Sequence, residues 1–304
     1  MSTARKKKAT FWSNVKELAV LLLIVFIIRT IGFGLYQVPT GSMETTMLVG
    51  ERFFADKFTP LFSKIKRGEV IAFNDPTWKY SKNRFKRLFE EYVWGPYNWT
   101  KRVIGAPGDT VRGTIEDGKP VIYVNEEKID EPYLNKYPLV KVWSVDPRQV
   151  PLLISRKKIS GERLFTTKSF DPNISFDNQP FYYIDEKRIA RGGELGPPFL
   201  YPGTPVRPSE TSKRYRVGNS YWTGSDEFHV ELGPNQYWVM GDNRLGSTDS
   251  RWFGPIDGRL IHSRIMFCVL SVDTQESWLF LDLLKNPIDF WRRIRWGRIP
   301  RKVH

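Results

Sequence analysis

The sequence predicts a mostly β fold, in which an antiparallel β-sheet body carries an inserted subdomain. The 304-residue chain is 14% aromatic and contains 23 Gly and 21 Pro. This composition favours short strands and turns over a helical bundle. Short strand-like runs bounded by Gly or Pro recur along the body, and helical periods are few. One N-terminal membrane helix and one short, basic, amphipathic C-terminal helix are expected to flank the body.

The N-terminal region predicts a cytoplasmic basic tail over residues 1–16 and a transmembrane anchor over residues 17–36. From Leu18 to Tyr36 the sequence reads "LAVLLLIVFIIRTIGFGLY", interrupted only by Arg29 and Thr30. As a helix this run would rise about 28 Å, close to the hydrocarbon thickness of a bilayer. The basic cluster ahead of it predicts an N-terminus in the cytoplasm. A cleavable signal peptide is the alternative, but no A-x-A type site follows the run.

This topology predicts a single-pass protein of the inner (plasma) membrane, with its body on the outer, periplasmic or extracytoplasmic side. The formal charge of +14 is concentrated at the ends of the chain, with +5 in residues 1–16 and +6 in residues 285–304. The remaining residues therefore carry only +3. Basic ends beside apolar segments favour anionic lipid over nucleic acid as the binding partner.

The single cysteine, Cys268, excludes an internal disulfide and is expected to be an inert packing residue.

The first part of the β body is predicted to span residues 37–131, with an insertion over residues 77–98. "ERFFADKF" and "RGEVIAFNDP" are strand-like runs, and "TIEDGKPVIYVNEEKI" predicts a hairpin around Asp117-Gly118. Residues 132–228 are irregular and predict an inserted non-catalytic subdomain. The second part, residues 229–273, contains "EFHVEL-GPN-QYWVMGD", which predicts another hairpin. "RLIHSRIMFCVLSV" predicts the closing strand.

The C-terminal residues 274–304 predict a basic amphipathic tail. A helix capped at Asn286 and ended by Gly297 would place three apolar side chains on one face, namely Ile288, Trp291 and Ile294. Such a helix favours the membrane interface. The alternative is a helix packed on the surface of the protein's own domain.

Ser42 lies in "VPTGSMETTM", a few residues beyond the predicted anchor, and is a candidate nucleophile. A serine hydroxyl needs a neighbouring base to take its proton. The histidines are poor candidates for this base, because His304 is terminal and His229 and His262 lie in strand patterns typical of structural roles. The elbow G-x-S-x-G is also absent, since Glu44 stands where its second glycine would be.

Lys101 is the candidate base. In "NWTKRVIG", strand alternation puts Trp99, Lys101 and Val103 on one face and is expected to turn Arg102 outward. Burial of a lysine among apolar side chains lowers its pKa, so that it can be neutral and accept a proton. A guanidinium cannot serve as this base, because it stays protonated in proteins.

Four motifs stand in the order found in type I signal peptidases: "VPTGSMETTMLVGERFFADK", "RGEVIAFNDP", "TKRVIGAPGDTV" and "MGDNRLGSTDSRWFGPI". With the apolar segment before the serine, they make the chain similar to this family over around half its length. The resemblance implies a Ser–Lys dyad of Ser42 and Lys101. By position it also implies four supporting residues: Thr40 in the oxyanion hole, Ser247 orienting the lysine, and an ion pair of Asp249 with Arg251. Three further residues resemble parts of the same structural loop: Asp242, Asn243 and Arg244.

The resemblance implies a membrane-bound serine endopeptidase that removes N-terminal signal peptides from exported preproteins, without metal or cofactor. Its expected partners are those signal peptides, the lipid bilayer and the protein export machinery. The sequence departs from the family pattern at Thr45, Glu44, Met47 and Gly246, and Glu44 is expected to bring a carboxylate near the cleft. The alternatives are a specialised maturation protease of the Ser–Lys group and an inactive membrane-tethered binding protein.

Overall fold

The computed structural model describes residues 2–92, 95–144, 148, 165–191, 197–208, 213–274 and 279–303. Its strands form an eight-stranded, a six-stranded and a three-stranded sheet. Over these residues every pairing between the strands is antiparallel. The prediction of a mostly β, antiparallel fold is therefore confirmed.

The strands follow one another along the chain with few helices between them. In chain order they are β1 (Phe33–Gln37), β2 (Arg52–Asp56), β3 (Val70–Asn74), β4 (Asn98–Gly105), β5 (Thr110–Glu116), β6 (Lys119–Val124), β7 (Glu127–Lys128), β8 (Leu139–Trp143), β9 (Phe165–Ser169), β10 (Phe199–Leu200), β11 (Tyr215–Val217), β12 (Ser220–Trp222), β13 (Phe228–Glu231), β14 (Gln236–Met240), β15 (Ile256–Asp257), β16 (Ile261–Leu270) and β17 (Arg301–Lys302). The α-helices are α1 (Ser2–Ile27), α2 (Arg84–Tyr92), α3 (Ser250–Phe253), α4 (Leu279–Lys285) and α5 (Pro287–Arg292). The predicted insertion 77–98 thus contains α2.

The N-terminal segment is a helix followed almost directly by a strand. After α1 comes a single π-helical turn, Ile28–Gly32, and then β1 pairs with β2. The last residues of the predicted anchor are therefore strand rather than helix. The apolar side chains of Leu18–Ile28 are exposed. Across the described residues, no helix combines the length and the apolar character needed to cross a membrane.

The eight-stranded sheet brings together the segments that carry Ser42 and Lys101. Its order is β1-β2-β16-β3-β4-β14-β15, with β17 paired to β16. The strands predicted in "ERFFADKF", "RGEVIAFNDP" and "RLIHSRIMFCVLSV" are β2, β3 and β16, and these predictions are confirmed. β4 lies between β3 and β14 and is buried from Lys101 to Gly105.

One predicted hairpin is confirmed and the other is wrong. β5 and β6 meet in a two-residue turn in which Asp117 and Gly118 both have positive φ, the conformation of a type I′ turn. β13, however, pairs with β5 and β12, whereas β14 pairs with β4 and β15. Both strands contribute apolar side chains to one core, including Phe228, Val230 and Trp238. The two strands therefore share a core, although they belong to different sheets.

The predicted inserted segment contributes strands to two sheets. β8, β9 and β10 form the three-stranded sheet, while β11 and β12 join β13 in the six-stranded sheet. A core beside the three-stranded sheet includes Val140, Tyr182 and Ile184, and it also takes in Leu48 from the chain just after Ser42. Residues 149–164 of the segment lie outside the described residues.

The C-terminal tail packs against the body. α5 ends at Arg292, not at Gly297. Ile294 is only 7% exposed and packs with Phe290 and Val272, whereas Ile288 is 69% exposed and Trp291 55%. The prediction that Ile288, Trp291 and Ile294 share one face is therefore wrong, because the backbone leaves the helix at Arg293 to form a bridge between Ile294 and Val272.

Arg298 carries the tail back to the segment that follows Ser42. Its guanidinium pairs with the fully buried Glu51. Its Nη2 also donates to the carbonyl oxygens of Thr45 and Thr46, at 3.2 and 3.3 Å. Glu51 in turn accepts a hydrogen bond from the Leu48 N–H. Arg298, far along the chain, therefore stabilises the loop that follows Ser42.

Candidate active site

Ser42 lies in a short 3-10 turn, Gly41–Met43, at the end of an extended segment that follows β1. Asn243 holds this turn from the opposite side. Its side-chain amide donates to the Gly41 carbonyl at 2.9 Å, and its N–H donates to the Ser42 carbonyl at 3.1 Å. Both contacts fix the backbone of the turn and leave the Ser42 hydroxyl free to point at the neighbouring strand. Thr40 precedes the turn in an extended conformation and is exposed.

Lys101 reaches the hydroxyl of Ser42 from β4. Its Nζ lies 2.6 Å from the Ser42 Oγ, and the side chain is only 4% exposed. The Nζ also lies 5.8 Å from the centroid of the Trp99 ring. Burial lowers the pKa of Lys101 to about 8, although the negative charge of Asp249 opposes the shift. A lysine with this pKa can lose its proton near neutral pH and accept another from the serine.

Ser247 and the turn that carries Ser42 lie on either side of Gly241. A Cβ on Gly241 would lie 2.3 Å from the Ser247 Oγ and 2.4 Å from the Ser42 carbonyl oxygen, so only glycine fits between them. The Ser247 hydroxyl is buried and has no hydrogen-bond partner among the described residues. The structure therefore brings Ser247 beside Ser42 but does not join it to Lys101.

Asp249 and Arg251 form a buried ion pair below the dyad. The Arg251 Nε and Nη2 each lie 2.9 Å from a different carboxylate oxygen of Asp249. Its Nη1 pairs with Asp226 at 2.7 Å, and its Nη2 also donates to the Arg244 carbonyl. Burial raises the pKa of Asp249, but the charge and hydrogen bonds of Arg251, the Gly241 N–H and the charge of Lys101 together outweigh it, so that the pKa is lowered. Asp249 also accepts the Gly241 N–H, which ties the ion pair to the glycine beside Ser42.

Arg102 forms a second buried ion pair, and the prediction that it faces outward is wrong. It is 1% exposed and binds both carboxylate oxygens of Asp242, at 2.8 and 2.7 Å. Its guanidinium also stacks 4.0 Å over the Tyr133 ring. Asp242 accepts the Thr46 hydroxyl at 2.5 Å, so this pair supports the loop after Ser42. Alternation failed here because β4 is covered on both faces.

Glu44 is fully buried against the turn that carries Ser42, but its side chain is not among those that line the cleft. Its carboxylate accepts hydrogen bonds from the Ser169 N–H and hydroxyl, both at 2.8 Å, and from the Tyr182 hydroxyl at 2.6 Å. Burial raises the pKa of Glu44, and these donors act in the opposite direction. The carboxylate therefore belongs to the contact with the inserted segment.

The described histidines lie elsewhere. His262 stacks on Tyr36 and makes hydrogen-bond contacts with its hydroxyl and with Asn98. Burial lowers the pKa of His262 to about 3, so the ring is neutral at ordinary pH. His229 stacks on Tyr221. These contacts fit the structural roles expected from the sequence.

Cys268 is buried, and its thiol donates to the Leu270 carbonyl. Burial raises the pKa of the thiol to about 11, which fits the expected packing role. Among the described residues, no cluster of His, Cys, Asp and Glu side chains has the arrangement of a metal site.

A cleft of about 1180 Å³ opens beside the dyad. It is lined by β1, by the segment from Val38 to Met43, and by Trp99 and Lys101 of β4. In the described part of the chain β1 is the first strand of its sheet and pairs only with β2. A strand with an unpaired edge can bind an extended peptide through main-chain hydrogen bonds.

Sequence comparison matches residues 11–270 to the family described as signal peptidase, peptidase S26. The chain is 31% identical over 285 residues to signal peptidase I of Buchnera aphidicola subsp. Acyrthosiphon pisum, covering 90% of this chain and 79% of that protein. It is 32% identical over 134 residues to signal peptidase I T of Bacillus subtilis (strain 168), covering 44% of this chain. In that match and two further Bacillus matches, the chain spans only 58% to 60% of the relative's length.

Among solved structures, the chain is similar to a signal peptidase I from Enterococcus faecalis V583. The identity is 17% and the TM-score is 0.27. The match covers 66% of this chain and 97% of that chain.

Proposed function

The chain belongs to the signal peptidase family, peptidase S26, and we propose that it is a serine endopeptidase that removes N-terminal signal peptides from exported preproteins. The observation that carries the proposal is the distance of 2.6 Å between the Lys101 Nζ and the Ser42 Oγ, in a buried site that opens on a cleft. In this proposal Ser42 is the nucleophile and Lys101 is the general base.

The acylation step follows from the charge state of Lys101. The neutral amine accepts the hydroxyl proton as the Ser42 Oγ attacks the carbonyl carbon of the scissile peptide bond. Negative charge then develops on the carbonyl oxygen, where the Ser42 N–H and the Thr40 hydroxyl act as the oxyanion hole. The protonated Lys101 gives its proton to the leaving amine, and an acyl-enzyme remains on Ser42.

Deacylation uses the same base. Lys101, neutral again, takes a proton from a water molecule that attacks the carbonyl carbon of the acyl-enzyme. The lysine then returns this proton to the Ser42 Oγ as the ester bond breaks and the signal peptide is released. Ser247 orients the amine of Lys101 during both steps. The similarity to the family gives Ser247 this role, and its buried hydroxyl is not engaged by any other described residue. The Asp249–Arg251 pair holds the loop that carries Ser247, through the hydrogen bond from Gly241 to Asp249.

The substrate is an extended peptide that pairs with the free edge of β1. Main-chain pairing along Leu35 to Gln37 would lead the peptide into the cleft and carry its scissile bond toward Ser42. By its similarity to the family, the site accepts small residues at the positions −1 and −3 before that bond.

The enzyme works at the membrane surface, on the side where preproteins emerge. The exposed apolar run Leu18–Ile28, preceded by a basic cluster, supports contact of the N-terminal segment with lipid. In the tail, several large apolar side chains are also exposed: Phe280, Leu284, Ile288, Trp291 and Trp296. Trp side chains beside Arg and Lys are typical of a membrane interface. Single-pass insertion and assembly with the export machinery stay predictions.

Cleavage of a purified preprotein by the full chain in detergent tests the proposal. Ser42→Ala and Lys101→Ala should each abolish cleavage, and the double variant should be no worse than either single one, because the two residues act as a unit. Efficient cleavage by either variant would refute the dyad. A panel of unrelated preproteins distinguishes a general signal peptidase from a maturation protease that processes one of them.

Membrane attachment is measured separately by flotation of the full chain with vesicles of mixed anionic and neutral lipid. We expect the protein to float with the vesicles and to resist extraction at alkaline pH. Recovery in the unbound fraction would contradict the membrane assignment without affecting the dyad.

A further inference from the structure

The turn that carries Ser42, Gly41–Met43, is the nucleophile turn. Its contact with the inserted segment is built around a buried carboxylate. Glu44 follows the turn directly, and its N–H closes the turn by donating to the Gly41 carbonyl at 3.1 Å. Its side chain turns back over the same glycine, because a Cβ on Gly41 would lie 2.7 Å from the Glu44 Oε1. The conformation of the turn and the position of this carboxylate are therefore coupled.

Three hydrogen bonds from the inserted segment fix the carboxylate. Ser169, the last residue of β9, donates from both its N–H and its hydroxyl, and Tyr182 donates its hydroxyl. Ser169 and Tyr182 are themselves buried. These donors are neutral, and the carboxylate has no ion pair with any described residue, so directional hydrogen bonds hold it. Hydrogen bonds to an ionised carboxylate are shorter and stronger than those between neutral groups, and their geometry fixes its position.

A second tie runs through Tyr182. Its hydroxyl accepts the N–H of Val49 at 3.0 Å while donating to Glu44, so one side chain holds both ends of the loop that follows Ser42. Leu48 packs in the same core as Tyr182 and Ile184. The loop is therefore inserted into the core of the segment.

We propose that β8, β9 and β10, with residues 170–190 packed on them, are a positioning element for the nucleophile that acts through the Glu44 carboxylate. Glu44 is a positioning residue, because it touches neither the cleft nor Lys101. The inference rests on the proposed function, since it concerns the geometry of Ser42 during the reaction. It gives the inserted segment a role that the sequence alone does not indicate.

Glu44→Gln tests the proposal with nearly the same side-chain shape. The amide oxygen can still accept both Ser169 donors, but its NH2 group then faces the Tyr182 hydroxyl, which can no longer donate to residue 44. The turn therefore loses its charge-assisted bonds and is held less tightly. A small displacement of a nucleophile lowers the rate strongly, and we expect kcat to fall about tenfold or more. KM should stay within about twofold, because Glu44 does not line the cleft.

Ser169→Ala is the milder second variant. It removes one of the three donors and keeps the Ser169 N–H, so it should fold normally and lower kcat by a smaller factor. Ile122→Val is the matched control, because Ile122 is buried in a different core and contacts neither the carboxylate nor the three-stranded sheet. Its kcat, normalised to the folded fraction from tryptophan fluorescence, should equal that of the wild type.

The pH profile separates positioning from an electrostatic effect on the base. In both Glu44→Gln and Ser169→Ala, the apparent pKa of kcat/KM should equal the wild-type value. An unchanged kcat in the folded fraction of both variants would overturn the proposal. So would a change confined to KM, or a shifted pH profile. If the wild type itself fails to cleave preproteins, the proposed function fails; if it cleaves and both variants match it, only this inference fails.

Discussion

The pH dependence of cleavage is the most direct test of the lysine base. Only the neutral form of Lys101 can accept the Ser42 proton, and burial lowers its pKa to about 8. About one molecule in eleven is then in the active form at pH 7, and about ten in eleven at pH 9. We therefore expect kcat/KM to rise about tenfold between these pH values and to level off above pH 9.

An exposed lysine would behave differently. With a pKa of about 10.4, its neutral fraction grows tenfold for each pH unit, so the rate would rise about hundredfold from pH 7 to pH 9 without levelling off. The assay is kcat/KM for a signal-peptide substrate, measured with the full chain in detergent from pH 6 to pH 10 at constant ionic strength. This quantity reports the ionisation of the free enzyme.

Lys101→Arg is the control, because arginine keeps the positive charge but cannot act as a base. It should be inactive over the whole range. A wild-type rate that still climbs in proportion to hydroxide at pH 9.5 would refute the argument from burial. Activity in Lys101→Arg would show that another group takes the Ser42 proton.

The other predictions concern packing and charge around the dyad. Gly241→Ala adds a Cβ 2.3 Å from the Ser247 Oγ, so cleavage should fall at least about tenfold, and wild-type rates would contradict the close approach. Arg251→Met leaves Asp249 and Asp226 buried without their partner and should lower the free energy of unfolding by about 3–5 kcal/mol in urea denaturation. A loss below about 1 kcal/mol would show that the pair is not structural. Iodoacetamide at pH 7.5 should leave activity unchanged, because Cys268 is a buried thiol with a pKa of about 11, and inactivation would disprove its inertness.

Features set by neighbouring residues could be predicted from the sequence. The Asp117-Gly118 turn needs two residues that tolerate positive φ, and both stand together in the chain. Lys101 could be placed in a buried environment because Trp99 and Val103 flank it at the spacing of one strand face. Such features need no knowledge of the rest of the fold.

Features set by residues far apart in the chain could not be predicted from the sequence. The alternation that placed Lys101 inward also turned Arg102 outward, because it assumes that one face of the strand is open to solvent. The hydrogen-bond donors to Glu44, Ser169 and Tyr182, lie 125 and 138 residues further along the chain. No local sequence pattern shows that such donors surround a carboxylate at this position. Asp226 pairs with Arg251 across 25 residues and likewise carries no motif.

The contact between Arg298 and the loop after Ser42 has a consequence for biosynthesis. The chain emerges from the ribosome N-terminus first, so the residues of the nucleophile loop are made long before Arg298, which pairs with Glu51 across 247 positions. Until Arg298 is translated, Glu51 lacks this cation and the carbonyls of Thr45 and Thr46 lack the Arg298 hydrogen bonds. The loop that follows Ser42 therefore reaches its final set of contacts only late in the synthesis of the chain.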